Sequence, residues 1–317
     1  MTDIICRAVT SSPCVRRQSR MLALFPILRI CVNALSDIAY GALAGALLNC
    51  LWLERNTICN RRLRICLIVC SVILLVGLPL QFLLLSASMT GDSSWTDSWH
   101  AIPDVASTHS GHAVIMGFCF VPCLLVFSLF RASLRQTRLV LIGIALEVGF
   151  IACRALNGHA AADGDFTVRE GIQFLHLSAI ASWGGGILVA GLITIPHLAS
   201  VSESNDIARF GKRLSQSVSI ALAVVILSGI YNSWKGLGGS LSPLPNSDWG
   251  RMLILKLSFM LLALGQGVRV RLLLRTGGPW TPSRTTTMRR WVRMEALCML
   301  LVFICSAWLA SLPPADM

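Results

Sequence analysis

The sequence of 317 residues is 55% hydrophobic and only 13% charged, with a mean hydropathy of +0.70. Soluble domains carry about 25% charged residues, so this composition argues against a soluble protein and indicates an integral membrane protein. The net charge of +12 does not indicate nucleic-acid binding, because the basic residues form short clusters between apolar runs.

The first 21 residues form a basic tail. Its arginines are Arg7, Arg16, Arg17 and Arg20. The tail does not begin a convincing signal peptide, since Arg29 and Asp37 interrupt any apolar core that would follow it. Basic residues at this point conflict with an outward-facing N-terminus, and we therefore hypothesise that translation naturally starts at Met21.

Eight apolar runs are long enough to cross a membrane as helices. They cover approximately 30–53, 63–86, 110–130, 138–157, 171–195, 213–234, 250–272 and 291–312. The sequence therefore predicts an all-α polytopic membrane protein with eight transmembrane helices. Helices 1–4 lie within 22–157 and helices 5–8 within 158–317.

The connections between these runs alternate in charge. Basic connections contain Arg61, Arg62, Arg64, Arg131, Arg135, Arg138, Lys212, Arg213 and the arginines between 269 and 293. The other connections, 89–109, 158–170 and 235–249, are mostly acidic. Because basic loops face the cytoplasm, we expect both termini in the periplasm.

Two short similarities suggest an internal repeat. Residues 111–116 open helix 3 much as 250–255 open helix 7, and 35–39 echo 177–181. Four helices per half would give parallel repeats, with substrate bound between the halves. Coincidence among leucine- and alanine-rich segments is the alternative.

Helix 3 carries a stripe of potential metal ligands on one face. Its members are His109, His112, Met116, Cys119 and Cys123. Their spacing of three and four residues keeps them aligned, and imidazole, thioether and thiol groups all bind copper. On helix 2, Cys66 and Cys70 lie one turn apart. The stripe is either a Cu(I) relay or ordinary helix packing.

A second group of candidates lies in 157–191. His159 occupies the polar loop before helix 5, and His176 lies inside the helix, with Trp183 two turns further along the same face. An ionisable ring at membrane depth faces protein or water, so we interpret both histidines as candidate copper ligands or as interfacial hydrogen-bonding residues. The glycines 184–186 predict close approach by another helix.

Three charged residues interrupt the apolar spans: Asp37, Glu147 and Lys256. Such charges usually face the bundle interior. A Glu147–Lys256 pair, proton uptake by Glu147, or snorkelling by Lys256 are the interpretations that the sequence leaves open. Asn232, near the end of helix 6, is either an interfacial anchor or a residue lining the path.

The ordered motifs of the second half resemble one family. They are Gly-His-Ala-Ala at 158–161, Leu-His-Leu at 175–177, Trp-x-Gly-Gly at 183–186, Arg-Phe at 209–210, Ser-Gly-Ile-Tyr-Asn at 228–232, Trp-Gly-Arg at 249–251 and Leu-Ile-Leu-Lys at 253–256. In this order they resemble the CopD (copper resistance D) family of bacterial inner-membrane proteins over about 150–275. The first half matches less clearly.

The resemblance implies a protein that binds copper in the periplasm and imports it, often with a small CopC-like periplasmic partner. Two alternatives remain. One is a haem-binding redox protein with His112 and His176 as axial ligands; the other is a factor that delivers copper to a respiratory oxidase. The sequence contains no ATP-binding loop and no HExxH or GxSxG motif, so we expect neither ATP use nor enzymatic activity. Oligomeric state is not predicted.

Overall fold

The structure, a computed structural model, describes residues 13–53, 60–91, 94–130, 134, 136–157, 167–201, 204–276 and 280–313. It is 90% helical, and its described residues contain no strand. The prediction of an all-α polytopic membrane protein is therefore confirmed.

Eight long helices and three short ones make up the described chain. In chain order they are α1 (Pro13–Trp52), α2 (Asn60–Met89), α3 (Trp95–His100), α4 (Ile102–Ala106), α5 (His109–Leu129), α6 (Thr137–Ala155), α7, α8 (Ser204–Gly236), α9 (Pro243–Asn246), α10 (Asp248–Arg275) and α11 (Pro282–Ser311). Helix α7 begins with Val168–Ile180 and runs without a break through π-helical turns at Ala181–Gly185 and Ala190–Thr194 to Ile195–Val201.

Seven of the helices in the described chain are long and apolar enough to cross a membrane. The predicted count of eight is approximate because of α6, which has only 19 residues. Three of them, Arg138, Glu147 and Arg154, are charged. Each of the eight predicted runs nevertheless coincides with one long helix, and most of these helices extend beyond the run.

Helices α1 and α7 form the centre of the bundle. The apolar windows of these two spans are 67% and 78% buried within the protein, whereas those of the other five spans are only 17–39% buried. A continuous apolar core surrounds both helices. The first helices of the two predicted halves thus occupy comparable central positions, although the duplication itself stays a prediction.

Glycines allow α1 and α7 to touch through their backbones. A Cβ atom on Gly45 would lie 2.1 Å from the carbonyl oxygen of Gly185, and one on Gly185 would lie 1.8 Å from that of Gly41. No other residue fits at either position without moving a helix. The close approach predicted from the glycines at 184–186 is thereby assigned to α1.

The buried side-chain amide of Asn49 stabilises the contact between α1 and α7. The Asn49 side chain on α1 is fully buried, and its Nδ2 donates to the carbonyl of Gly45 at 2.7 Å and to that of Gly186 at 3.2 Å. The Gly186 carbonyl follows directly after the first π-helical turn, which interrupts the regular α-helical pattern. The hydrogen bond therefore links the irregular part of α7 to its neighbour.

Successive long helices run in opposite directions, which gives the bundle two chemically different ends. The basic end carries Arg61, Arg138, Arg213, Arg275 and Arg284. The opposite end, here called the histidine end, carries His100, His109 and His112. At the basic end arginines bind helix C-termini: Arg213 Nη1 donates to the Trp52 carbonyl at 2.9 Å.

Candidate functional site

His176 lies inside the bundle, about 12 Å along α7 from its start at the histidine end. Its Nδ1 is 3.0 Å from Ser228 Oγ on α8, and this hydroxyl donates its own proton to the Val224 carbonyl at 2.6 Å. Since the hydroxyl proton is already used, we assign the imidazole proton to Nδ1, which donates to Ser228. The lone pair of Nε2 is then available to a metal ion.

Helix α8 presents a glycine to the His176 ring. A Cβ atom on Gly229 would lie 3.5 Å from His176 Cε1, so the ring packs against bare backbone there. One turn closer to the histidine end, Asn232 Nδ2 donates to Gln173 Oε1 at 2.8 Å. Two polar contacts therefore join α7 to α8, and both of the predicted residues on this seam, His176 and Asn232, take part in it.

Charged groups from three further helices lie at the same level. Arg154 Nη2 on α6 forms an ion pair with Asp37 Oδ1 on α1 at 2.9 Å, and both side chains are largely buried. The Lys256 ammonium on α10 is close enough to interact electrostatically with Asp37 and with His176. An imidazole, a carboxylate and two basic groups thus face the interior together.

The interpretation that paired Glu147 with Lys256 is not what the structure shows. Both Glu147 carboxylate oxygens are buried without a hydrogen-bond partner in the described part of the chain. The sequence missed Arg154 because it stands in the last turn of α6, where an arginine ordinarily reaches the interface.

Trp183 is fully buried and contacts an acidic residue, Glu295, that was not among the predicted site residues. Its Nε1 lies 3.4 Å from Glu295 Oε1 on α11, and Glu295 is itself only 2% exposed. The Arg271 guanidinium lies within electrostatic range of the same carboxylate. Glu295 lies four positions after the start of the predicted apolar run 291–312, and an acidic residue at that depth could have been selected as buried. The arginines just before it made this stretch read as part of a basic connection instead.

At the histidine end, the side chain of His109 links helices α5 and α7. His109 Nε2 donates to Glu170 Oε1 at 3.1 Å, linking α5 to α7. Glu170 is buried and also closes the capping box with Thr167 at the start of α7. The other candidate in this region, His159, lies outside the described residues.

The metal-ligand stripe of α5 does share one face, and that face points outward. His112, Cys119 and Cys123 are exposed, and Met116 is 46% exposed, whereas the opposite face of α5 is buried. A relay along these four side chains would run along the outer surface of α5, outside the bundle core.

The haem alternative has no support in this arrangement. The ring of His112 lies on the outer surface of α5, while that of His176 faces α8 through Ser228. Two axial ligands must face one another across the porphyrin, and these rings do not.

No group of three or more histidine, cysteine, aspartate or glutamate side chains in the described ranges lies close enough to hold a metal ion.

Comparisons with known proteins identify a family for this chain. Residues 21–168 match the family model "Copper resistance protein D-like, N-terminal domain", and residues 208–309 match "Copper resistance protein D". His176 and Trp183 lie between the two matches, and Asn232 and Lys256 lie within the second. The first half, whose motifs matched less clearly, is thus covered as well.

Two curated relatives are similar over much of the chain. Copper resistance protein D of Pseudomonas syringae pv. tomato is 24% identical over 253 residues, which are 76% of this chain and 81% of that protein. Copper transport protein CutJ of Bacillus subtilis (strain 168) is 28% identical over 166 residues, 52% of this chain but 29% of that protein. No solved structure matches the chain. The chain belongs to the copper resistance protein D family of membrane proteins.

Proposed function

We propose that this protein accepts copper at the histidine end and carries it across the bacterial inner membrane to the basic end. The histidine end would face the periplasm, with both termini on that side, because the arginine-rich end is the one that the positive-inside rule retains in the cytoplasm. The copper-related family and the relatives' names support copper handling; the direction and the route are our proposal.

The geometry of His176 is the observation that carries this proposal. Ser228 fixes the ring so that Nε2 presents a lone pair within the bundle, and the Cε1 side of the ring packs against the backbone at Gly229. Imidazole nitrogen binds copper in either oxidation state, and a hydrogen bond on the other nitrogen is how metal-binding histidines are usually oriented.

The charges around His176 would act on a bound cation. The Asp37 carboxylate faces both the Arg154 guanidinium and the Lys256 ammonium, so one negative charge opposes two positive charges at this level. A copper ion on His176 would compete with these two groups for the carboxylate, because an uncompensated charge is costly at this depth.

In this scheme the histidine end collects the metal. His109, His112, Met116 and His159 are the proposed first ligands, and Trp183 and Asn232 are proposed to line the further path. Cys119 and Cys123, which are exposed on the outer surface of α5, are not part of this proposed path. A small periplasmic copper-binding protein of the CopC type would deliver copper to the loops 89–109 and 158–170.

Copper accumulation in a deletion strain tests this function. We expect wild-type protein to restore cytoplasmic copper and His176→Ala to reduce it to the level of the deletion. His100→Ala is the matched control, since His100 is an exposed histidine at the same end. Unchanged accumulation with His176→Ala contradicts the proposal. Loss of respiratory oxidase activity with normal cytoplasmic copper would instead indicate a delivery factor.

A further inference from the structure

The outer face of α11 carries a row of arginines near the basic end of the bundle. Arg289 and Arg290 lie one turn before Arg293, and residues three and four apart share one face of a helix. Together with three neighbours they line a cleft of about 250 Å³, far above the roughly 10–15 Å³ that a cavity needs to hold one water molecule. The surface is here called the arginine cleft, and its other lining residues are Thr286, Met294 and Leu297.

The three arginines of this cleft have no acidic partner in the described part of the chain. None of the ion pairs there includes Arg289, Arg290 or Arg293. The carboxylate nearest to them in the sequence, Glu295, is buried on the other side of α11, where it accepts the Trp183 N–H. Three positive charges therefore lie on one outer face without a counter-charge from the described residues.

The depth of Arg293 is the independent observation that points to a ligand. It lies two residues inside the apolar run 291–312 and is exposed. Leu297, Leu301 and Ile304 continue the same face, and all three are exposed, so this row faces lipid. A charged side chain at the edge of a lipid-facing row extends toward the interface and is stabilised there by an opposite charge. The phosphate of a neighbouring lipid would supply that charge.

A tryptophan ring beside the cleft brings a fourth arginine close to it. The Arg269 guanidinium of α10 lies over the Trp291 ring, 4.4 Å from its centroid, and that of Arg290 lies 6.0 Å from the same centroid. Tryptophan is enriched at the level of the lipid headgroups. The ring attracts these cations without cancelling their charge, because it is neutral. Positive charge from two helices is thus concentrated at this level.

We propose that the arginine cleft binds the headgroup phosphate of an anionic phospholipid, whose acyl chain lies along Leu297 and Leu301. Arginine suits this role, because its forked N–H donors match the oxygens of a phosphate while its apolar stem packs along the helix. A zwitterionic lipid carries the same phosphate but also a cationic group, which the arginines repel. The cleft therefore selects lipids with a net negative headgroup, and copper takes no part in this binding.

Native mass spectrometry of the purified protein in detergent tests the proposal, with dioleoylphosphatidylglycerol and dioleoylphosphatidylcholine as lipids that differ only in headgroup. We expect the wild type to bind the anionic lipid about tenfold more tightly than the zwitterionic one, and R289Q/R290Q/R293Q to lose this preference. The R61Q/R62Q/R138Q variant is the matched control and should keep the preference, because it removes three exposed arginines at the same end but outside the cleft. Equal affinity of the wild type for both lipids, an unchanged preference in R289Q/R290Q/R293Q, or equal loss in the two variants overturns the site.

A single substitution separates lipid binding from a folding defect. Arg293→Leu extends the apolar row, so stability in detergent with the zwitterionic lipid should not fall, while affinity for the anionic lipid should decrease about fivefold. Unaltered affinity of Arg293→Leu for the anionic lipid overturns the site. Inorganic phosphate at millimolar concentration distinguishes the source of the anion. We expect it to leave the lipid bound, whereas displacement of the lipid would make soluble phosphate the ligand and overturn the proposal.

Discussion

The two halves of the bundle each contain a buried carboxylate on their last helix, and only one of the two carboxylates has a hydrogen-bond partner in the described chain. Glu295 on α11 receives the indole N–H of Trp183 and lies near Arg271. Glu147 on α6 is equally buried, but neither of its carboxylate oxygens has a hydrogen-bond partner in the described chain. A hydrogen-bonded carboxylate stabilises a fold, whereas an unpaired one is retained at a cost, and we therefore expect Glu295 to contribute more to stability than Glu147.

The largest effect is expected where the two halves are joined. Gly185→Ala places a Cβ atom 1.8 Å from the Gly41 carbonyl oxygen, so α1 and α7 must separate and we expect a loss of about 3 kcal/mol or more. The free energy of unfolding in detergent measures it. Gly265→Ala is the control, because no atom lies within 4 Å of its added Cβ. Equal stability of both variants would contradict the backbone contact.

Removing the hydrogen-bond donor to Glu295 should reduce stability less than Gly185→Ala does. Trp183→Phe keeps the aromatic packing but removes the N–H donor, which leaves a buried acceptor unsatisfied; we expect a loss of about 1–3 kcal/mol. The same unfolding experiment checks this value. Trp234→Phe, at an exposed tryptophan, should change stability by much less. A similar loss of stability in Trp183→Phe and Trp234→Phe would show that the Trp183–Glu295 hydrogen bond does not stabilise the fold.

The hydrogen bond of Ser228 should matter more for copper than for stability. Ser228→Ala frees the His176 ring to rotate, and we expect a loss of about 1 kcal/mol in stability with a tenfold decrease in copper uptake. Uptake of copper by cells measures the second effect. Ser219→Ala, at an exposed serine on the same helix, serves as the control. Normal uptake by Ser228→Ala would show that ring orientation is not required.

The smallest change in stability is expected at Glu147. Because no hydrogen bond is lost, Glu147→Gln should alter the free energy of unfolding by less than about 0.5 kcal/mol, while Glu295→Gln should cost more than 1 kcal/mol. Parallel unfolding experiments on the two variants provide the comparison. If Glu147→Gln is the more destabilising of the two, the distinction between the hydrogen-bonded and the unpaired carboxylate does not determine stability.

Length and hydropathy were sufficient to predict the long helices, because a membrane span must be apolar over about 20 residues whatever its neighbours are. The direction of the α5 stripe was not predictable. Residue spacing places His112, Met116, Cys119 and Cys123 on one face, but lipid and protein core are both apolar, so hydropathy does not distinguish an outward from an inward face.

The polar contacts of the interior could not be predicted from the sequence either. The Asp37–Arg154 pair joins residues 117 positions apart, and no local spacing rule relates them. His176 was selected from its depth and motif, and Asn232 as an anchor or a residue lining the path; their partners Ser228 and Gln173 follow only from the packing of α7 against α8.

The proposed passage of copper past His176 can be measured in proteoliposomes that contain the purified protein and an internal copper-sensitive dye. We expect wild-type protein and the His100→Ala variant to admit copper added outside the vesicles, whereas His176→Ala should admit none above protein-free vesicles. Equal copper entry with and without the His176 imidazole would show that copper does not pass by this residue.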